Sequence, residues 1–232
     1  MSTSNLSTVR FSVDSHLLLE LGERLVARRS IALAELVKNA YDADATKVIV
    51  RLENVMKMGG TIVVQDDGHG MTFETLLTGW MLIATGEKRD LRKPVSRKYK
   101  RVMTGEKGIG RFACRVLSDK LILESVAIVA SGQKEKIAAT FDWARFKSGS
   151  KVDEVSVPYR REKVSFDTPT GTKLILEKTR DPWEEKDVDD LRNDLLSLIS
   201  EFIPEMAGVQ ERGKSIRDPG FQVIIQAPEF PE

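Results

Sequence analysis

Between residues 31 and 43 the apolar side chains recur at helical spacing. At about 100° per residue, Leu33, Leu36, Val37 and Ala40 share one side, and Glu35, Asn39 and Asp42 share a narrow polar face opposite. Ala, Leu, Glu and Lys favour helix and no Gly or Pro interrupts residues 34–43, so the pattern predicts a helix that Ser30 is placed to cap. A shorter helical pattern precedes it at 16–26, with Leu18, Leu21 and Leu25 in phase and His16 as an exposed end residue. After Thr46 the period falls to two. Residues 47–52 and 61–65 alternate and are β-branched, and the turn at 54–60 makes them a hairpin. Residues 72–81 return to helix, with Phe73, Leu76, Leu77 and Trp80 on one side, and 110–117 opens another. Strands are predicted over 120–129, 136–143, 152–160 and 172–177, an amphipathic helix over 183–202, and a last edge strand over 221–226. Strands joined by hairpins, with helices in separate runs, argue for an α+β two-layer sandwich rather than a doubly wound sheet.

Composition narrows the class. The chain has 232 residues, 41% hydrophobic and 31% charged, the balance of a globular domain with a sizeable core. The net charge of +1 gives bulk charge no polyanionic bias. The one cysteine, Cys114, excludes an internal disulfide and reads as a small core residue. No apolar run approaches the ~18 residues of a membrane span, and the Ser/Thr-rich start lacks a secretory core. The expected location is the cytoplasm, or the nucleus in a eukaryote.

The polar face of the 31–43 helix changes the picture. A carboxylate, an amide and a second carboxylate in register can hold a hydrated cation and activate a water, although such a face standing alone would read as solvated surface. Three further blocks follow. They are Asp66-Asp67-Gly68-His69-Gly70-Met71-Thr72, Gly105-Glu106-Lys107-Gly108-Ile109-Gly110-Arg111-Phe112, and Thr170-Gly171-Thr172-Lys173-Leu174. The glycines before the 110–117 helix offer backbone N–H groups and a helix N-terminus to an anion. Each block alone is weak, because Gly-rich fragments are common.

Together, in this order and spacing, the four blocks resemble the GHKL ATPase superfamily over roughly residues 31–177. That group includes the gyrase B subunit, the ninety-kilodalton heat-shock chaperone, the histidine kinases, MutL and the MORC proteins. The resemblance implies the Bergerat ATP-binding fold, a mixed, mostly antiparallel sheet covered on one face by helices. It implies ATP and Mg²⁺ as cofactors, with Glu35 as general base and Asn39 as the side-chain ligand of the metal. Asp42 matches the motif, with a role in the metal site or in tying down a loop. Asp66 would accept the adenine amino group, where guanine presents a carbonyl, with Gly68 and Gly70 allowing close approach and Met71 packing near the base. His69 reads as a variable position. Thr172 resembles the hydroxyl that assists Asp66. Gly105, Gly108, Ile109, Gly110 and Arg111 belong to the phosphate loop. Lys107 inside it points to phosphate or to solvent, and Lys88 resembles the phosphate-reaching lysine of a Ser/Thr-x-Lys element in the MORC-like branch.

Domain organisation follows the same resemblance. Residues 1–13 are expected as an N-terminal arm, 14–210 as the ATPase domain with a lid over 86–107, and 211–232 as a linker with an edge strand, leading to a further region. The lid is strongly basic, with Lys88, Arg89, Arg92, Lys93, Arg97, Lys98, Lys100 and Arg101 facing only Glu87 and Asp90. Only Tyr99 interleaves, which favours a solvated loop that orders on nucleotide over a nucleic-acid patch. Expected partners are ATP and ADP and a nucleotide-dependent homodimer, with turnover slow in this chain alone. The rival readings are a nucleotide-gated interaction module with little turnover and a DNA-associated ATPase.

Overall fold

A computed structural model of the chain describes residues 13–18, 20, 28–82, 95–103, 110–206 and 217–230. Its elements are α1 (Arg29–Asp42), β1 (Lys47–Glu53), β2 (Thr61–Asp66), α2 (Gly110–Leu117), β3 (Ser118–Ile128), β4 (Lys134–Asp142), β5 (Tyr159–Val164), β6 (Gly171–Thr179), α3 (Glu185–Met206) and β7 (Gln222–Gln226). The strands form one seven-stranded sheet in the order β5-β4-β3-β6-β2-β1-β7. Every neighbouring pair is antiparallel except β1 and β7, which run parallel.

Alternation decides which face is covered. Val48, Val50 and Leu52 on β1, Leu121 and Leu123 on β3, and Leu174 and Leu176 on β6 point to one side and are buried. Their neighbours Ile49, Lys173 and Glu124 face the other side and are only partly covered. α1 packs against α2, α3 and the sheet on the buried side, so the α+β two-layer sandwich read from the sequence is the observed one. The edge strand β5 is exposed and carries Arg160, Arg161, Glu162 and Lys163, charges that discourage edge pairing.

Several local expectations change. α1 starts at Arg29, before Ser30, and Arg28 in the N-cap position makes no side-chain cap. Ser30 instead lies buried in the first turn, its hydroxyl without a partner among the described residues. The start is held by Arg29, which pairs with Asp187 on α3 at 3.0 Å. Within 72–81 only Phe73–Thr75 is α-helix; Leu76–Met81 winds as a wider π-helix. That change of pitch turns Leu77 outward, 47% exposed, instead of aligning it with Leu76. The strand expected over 152–160 is a 3₁₀ turn at Val152–Glu154, and β5 begins only at Tyr159. Glu154 accepts the Lys151 backbone N–H, and Pro158 has no N–H to give a ladder. Val152, Val155 and Val157 pack on the core from irregular chain, which is why they mimic strand alternation. Trp183 precedes α3, and its backbone N–H bonds Val55 O at 2.8 Å.

The C-terminal end of α1 carries an unusual cap. Asp44 N bonds Tyr41 O and Ala45 N bonds Ala40 O, a Schellman closure with Asp44 at φ +59°, where glycine is usual. The side chain of Asp44 also gathers a distant segment, because its carboxylate accepts Ser96 Oγ at 2.5 Å, Lys98 N at 2.7 Å and Tyr99 N at 3.1 Å. A few residues on, Arg101 is only 4% exposed. Its guanidinium is bidentate to Asp218 at 2.8 Å and also donates to Ala45 O, Tyr41 O and Gly220 O. It lies over the rings of Tyr41 at 4.7 Å, Tyr99 at 4.9 Å and Phe221 at 5.7 Å. The 96–101 segment of the basic 86–107 stretch is therefore bolted down, against the expectation of a lid with little to anchor it. Like-charge counting missed this because both acidic partners lie far away in sequence. Residues 86–94 and 104–107 of that stretch, 1–12 of the N-terminal arm and 211–216 of the expected linker lie outside the described residues.

Candidate functional site

The end of α1 meets the ends of β2 and β6 around a cavity of about 310 Å³. α1 contributes Asn39, Asp42 and Ala43; Asp66 closes β2, and Thr172 stands at the start of β6. The loop after β2 brings His69, Gly70 and Met71, and the wide turn brings Gly79 and Trp80. Leu36, Ala40, Val64 and Leu174 make an apolar floor. Met103 enters from the segment that Arg101 anchors.

The polar wall is a continuation of the core. Val64, Leu174 and Leu123 sit side by side on β2, β6 and β3, all facing the helices. One step further along the same face come Asp66, Thr172 and Ser125, so the inward row changes from aliphatic to polar at the cavity. Asp66 Oδ1 accepts Gly68 N at 2.9 Å and Thr172 N at 3.2 Å. Oδ2 has no hydrogen-bond partner among the described residues. Burial pushes the Asp66 carboxyl up to about 6, with the Asp67 charge adding, against the two backbone N–H groups that favour the ionised form. Asp67, by contrast, is held below its ordinary value despite some burial, because Thr46 N, Thr46 Oγ1 and Lys47 N all donate to it. The two adjacent carboxylates thus divide: Asp67 locks the turn before β1, and Asp66 is left for the cavity.

The glycines are needed for close packing of backbone on backbone. Gly70 has φ +70°, and a Cβ there would sit 2.1 Å from Val126 O on β3. Gly171 has φ +147°, and its Cβ would meet Asp66 O at 2.2 Å. Both contacts draw β3, β6 and the loop after β2 together behind the cavity.

A family model described as "Histidine kinase-, DNA gyrase B-, and HSP90-like ATPase" matches residues 27–169, more than half of the chain. The chain belongs to this ATPase family. A putative type II restriction enzyme, HgiDII of Herpetosiphon aurantiacus, is 35% identical over 79 residues. That match spans 34% of this chain and 12% of the restriction enzyme. The family's ligand is ATP, and the cavity at the end of α1 lies inside the matched segment except for its β6 wall.

Within this ATPase domain the residues expected at the site divide into four groups. Asn39, Asp42, Asp66, Gly70, Met71 and Thr172 line the cavity, and Gly68 serves it through Asp66. Glu35 stands one turn before Asn39 on α1, outside the lining, with Lys38 Nζ on its Oε1 at 2.8 Å. Gly110 and Arg111 open α2. Lys88, Gly105, Lys107, Gly108 and Ile109 lie outside the described residues. Asn39 is exposed at the mouth, whereas Asp42 is buried, so the polar face of α1 runs from solvent into the protein.

Lys38, Ser125, Trp80 and Met103 are site residues that sequence reasoning missed. Lys38 was legible as an i,i+3 partner of Glu35. Ser125 was legible as the polar residue in the inward phase Leu121-Leu123-Ser125. Trp80 was placed on an apolar helix side, and nothing in the sequence tied Met103 to the cavity.

Proposed function

We propose that this domain binds ATP with Mg²⁺ in the cavity at the end of α1 and hydrolyses it. The observation that carries the reading is that an amide from the helix and a partly buried carboxylate and a hydroxyl from adjacent strand ends line one cavity. Asp66 takes the adenine amino group through its free oxygen, with Thr172 beside it, and Met71 packs near the base. Asn39 offers a neutral oxygen at the exposed mouth, a hard donor that suits Mg²⁺ shared with phosphate oxygens and water. The ion, when bound, offsets phosphate charge. Glu35, a turn away, takes the proton of the attacking water. The glycine loop 105–110 and the start of α2 receive the phosphates, with Lys88 and Lys107 as candidate contacts and Ile109 and Arg111 in the same loop region.

Nucleotide then closes a lid within 86–107 and promotes a homodimer through that lid and the N-terminal arm. The anchored segment 95–103 acts as the fixed end of this lid. Hydrogen exchange with a non-hydrolysable ATP analogue should slow in 86–94 and 104–109, while 95–103 is protected with or without it. Equal exchange everywhere in both states would remove the gate. For the site itself, calorimetry with ATP in the presence and absence of Mg²⁺ is the test. Asn39→Ala should lose most of the Mg²⁺ enhancement, about tenfold in affinity, the scale of one charge-assisted contact. Unchanged Mg²⁺ enhancement would take Asn39 out of the metal site.

A second reading is an ATPase module working with DNA, favoured by the relative named as a restriction enzyme. The burial of Arg101, with Tyr99 against its guanidinium, takes a cation and an aromatic away from the basic stretch that would carry it. Turnover measured with and without duplex DNA separates the two readings.

A further inference from the structure

Ser125 is 2% exposed, at the β3 end of the polar row, and touches no ligand in the proposed site. Its Oγ makes three contacts: Met71 N at 2.8 Å, Gly171 O at 2.9 Å and Thr172 Oγ1 at 3.1 Å. The first two fix its polarity. Met71 N can only donate and Gly171 O can only accept, so the one hydroxyl hydrogen of Ser125 goes to Gly171 and one lone pair takes Met71. Toward Thr172 the serine has only a lone pair left. The Thr172 hydroxyl must therefore donate to Ser125, and what it turns to the cavity is its own lone pairs.

We infer that Ser125 is a positioning residue that sets base selectivity by fixing the direction of the Thr172 hydroxyl. The wall then offers two acceptors, Asp66 Oδ2 and Thr172 Oγ1, and no side-chain donor. An amino group at the purine six-position satisfies both acceptors. A six-oxo group faces lone pairs from both. Without Ser125, the threonine hydroxyl is free to rotate and donate inward, and the wall tolerates a carbonyl. The same serine holds the loop: Met71 N hangs from it, and Gly70 is pressed on Val126 O next door. This inference rests on the reading of Asp66 as the base acceptor.

The test compares ADP and IDP, which differ only in the purine edge, by calorimetry with Mg²⁺. Ser125→Ala should lower the ADP:IDP affinity ratio by roughly five- to tenfold, the worth of one neutral hydrogen bond. Ser125→Thr keeps the hydroxyl and should keep the ratio. Should the alanine variant fail to fold, Ser125→Cys retains the volume with a weak donor and acceptor and should show the same loss. Thr172→Val should lower the ratio as well, and adding Ser125→Ala to it should change the ratio no further. Equal weakening of both nucleotides in the Ser125 variants, with the ratio intact, assigns a purely structural role and overturns the inference. So does an additive effect in the double variant. Asp66→Asn run alongside separates the two levels. If it binds ADP normally, the base pocket itself lies elsewhere, whereas loss of ADP binding with a serine-independent ratio rejects Ser125 alone.

Discussion

Glu35→Ala should bind ATP like the parent and hydrolyse it about 10²-fold more slowly or worse, the scale of a lost general base. Binding is expected to survive because Glu35 lies outside the cavity lining and outside the helix's buried stripe. Its carboxylate meets the Lys38 ammonium at 2.8 Å, a partly exposed i,i+3 pair whose loss costs at most a few tenths of a kcal/mol. The fold should therefore stay intact while chemistry fails. Phosphate release per nucleotide-occupied site, with occupancy from calorimetry, is the measurement. Turnover within about threefold of the parent would take Glu35 out of the mechanism. Lys38→Met is the useful control, because it frees the carboxylate without removing it; a modest change there with a large one at Glu35 assigns the proton transfer to the carboxylate.

Asp66→Asn should abolish detectable adenine nucleotide binding and, at neutral pH, raise the melting temperature. The amide oxygen can still accept Gly68 N and Thr172 N, but an NH₂ group now faces the adenine amino group, donor against donor. The stability gain follows from linkage. Burial raises the Asp66 carboxyl from its ordinary 3.8 to about 6, so the folded protein holds this proton more tightly than the unfolded chain. Each tenfold in proton affinity is about 1.4 kcal/mol, so the ionised group costs the fold about 3 kcal/mol at pH 7, and less where its free oxygen meets solvent. The protonated form's contribution is complete below about pH 4 and is lost as pH rises through about 6. Asp66→Asn should thus melt roughly 3–6 °C higher at about pH 7.5, from a net gain of about 1–2 kcal/mol, with the gap closing toward about pH 4. A gap that does not depend on pH would mean the carboxylate is not strained by burial. On the proposed reading, the site keeps a costly charge because the base needs an acceptor there.

Which features were legible in the sequence follows from how local their causes are. The two-layer fold, α1, α2, β1, β2 and β7 rest on periodicity within one segment and read correctly. Asn39 was legible from its place on the polar face of α1, and Asp66 and Thr172 as polar residues at strand ends beside glycines that permit close backbone contact. What failed was set at a distance. The 152–160 region alternates because its valines meet the core, not because it pairs with a strand. Leu77 was misplaced because the helix changes pitch at Leu76. Arg101 read as one more surface cation because Asp218, its counter-ion, lies 117 residues away. Asp44 carried no signal in the sequence, lying just before the change of period after Thr46, although its carboxylate organises three groups of the 96–99 segment.

The Arg101 node also governs where this domain can be shortened. A fragment stopping at Met206 would retain every residue proposed to meet nucleotide or metal, yet it would discard Asp218, Gly220, Phe221 and β7. The guanidinium would lose its counter-ion while still packed against Tyr41 and Tyr99, at a cost of up to several kcal/mol. The floor beneath it is the carbonyl end of α1, at Tyr41 and Ala45, one turn from Asn39. Trimming at the C-terminus would thus be felt at the mouth of the proposed nucleotide site, and truncation mapping here will confuse loss of an anchor with loss of a group that acts on the nucleotide.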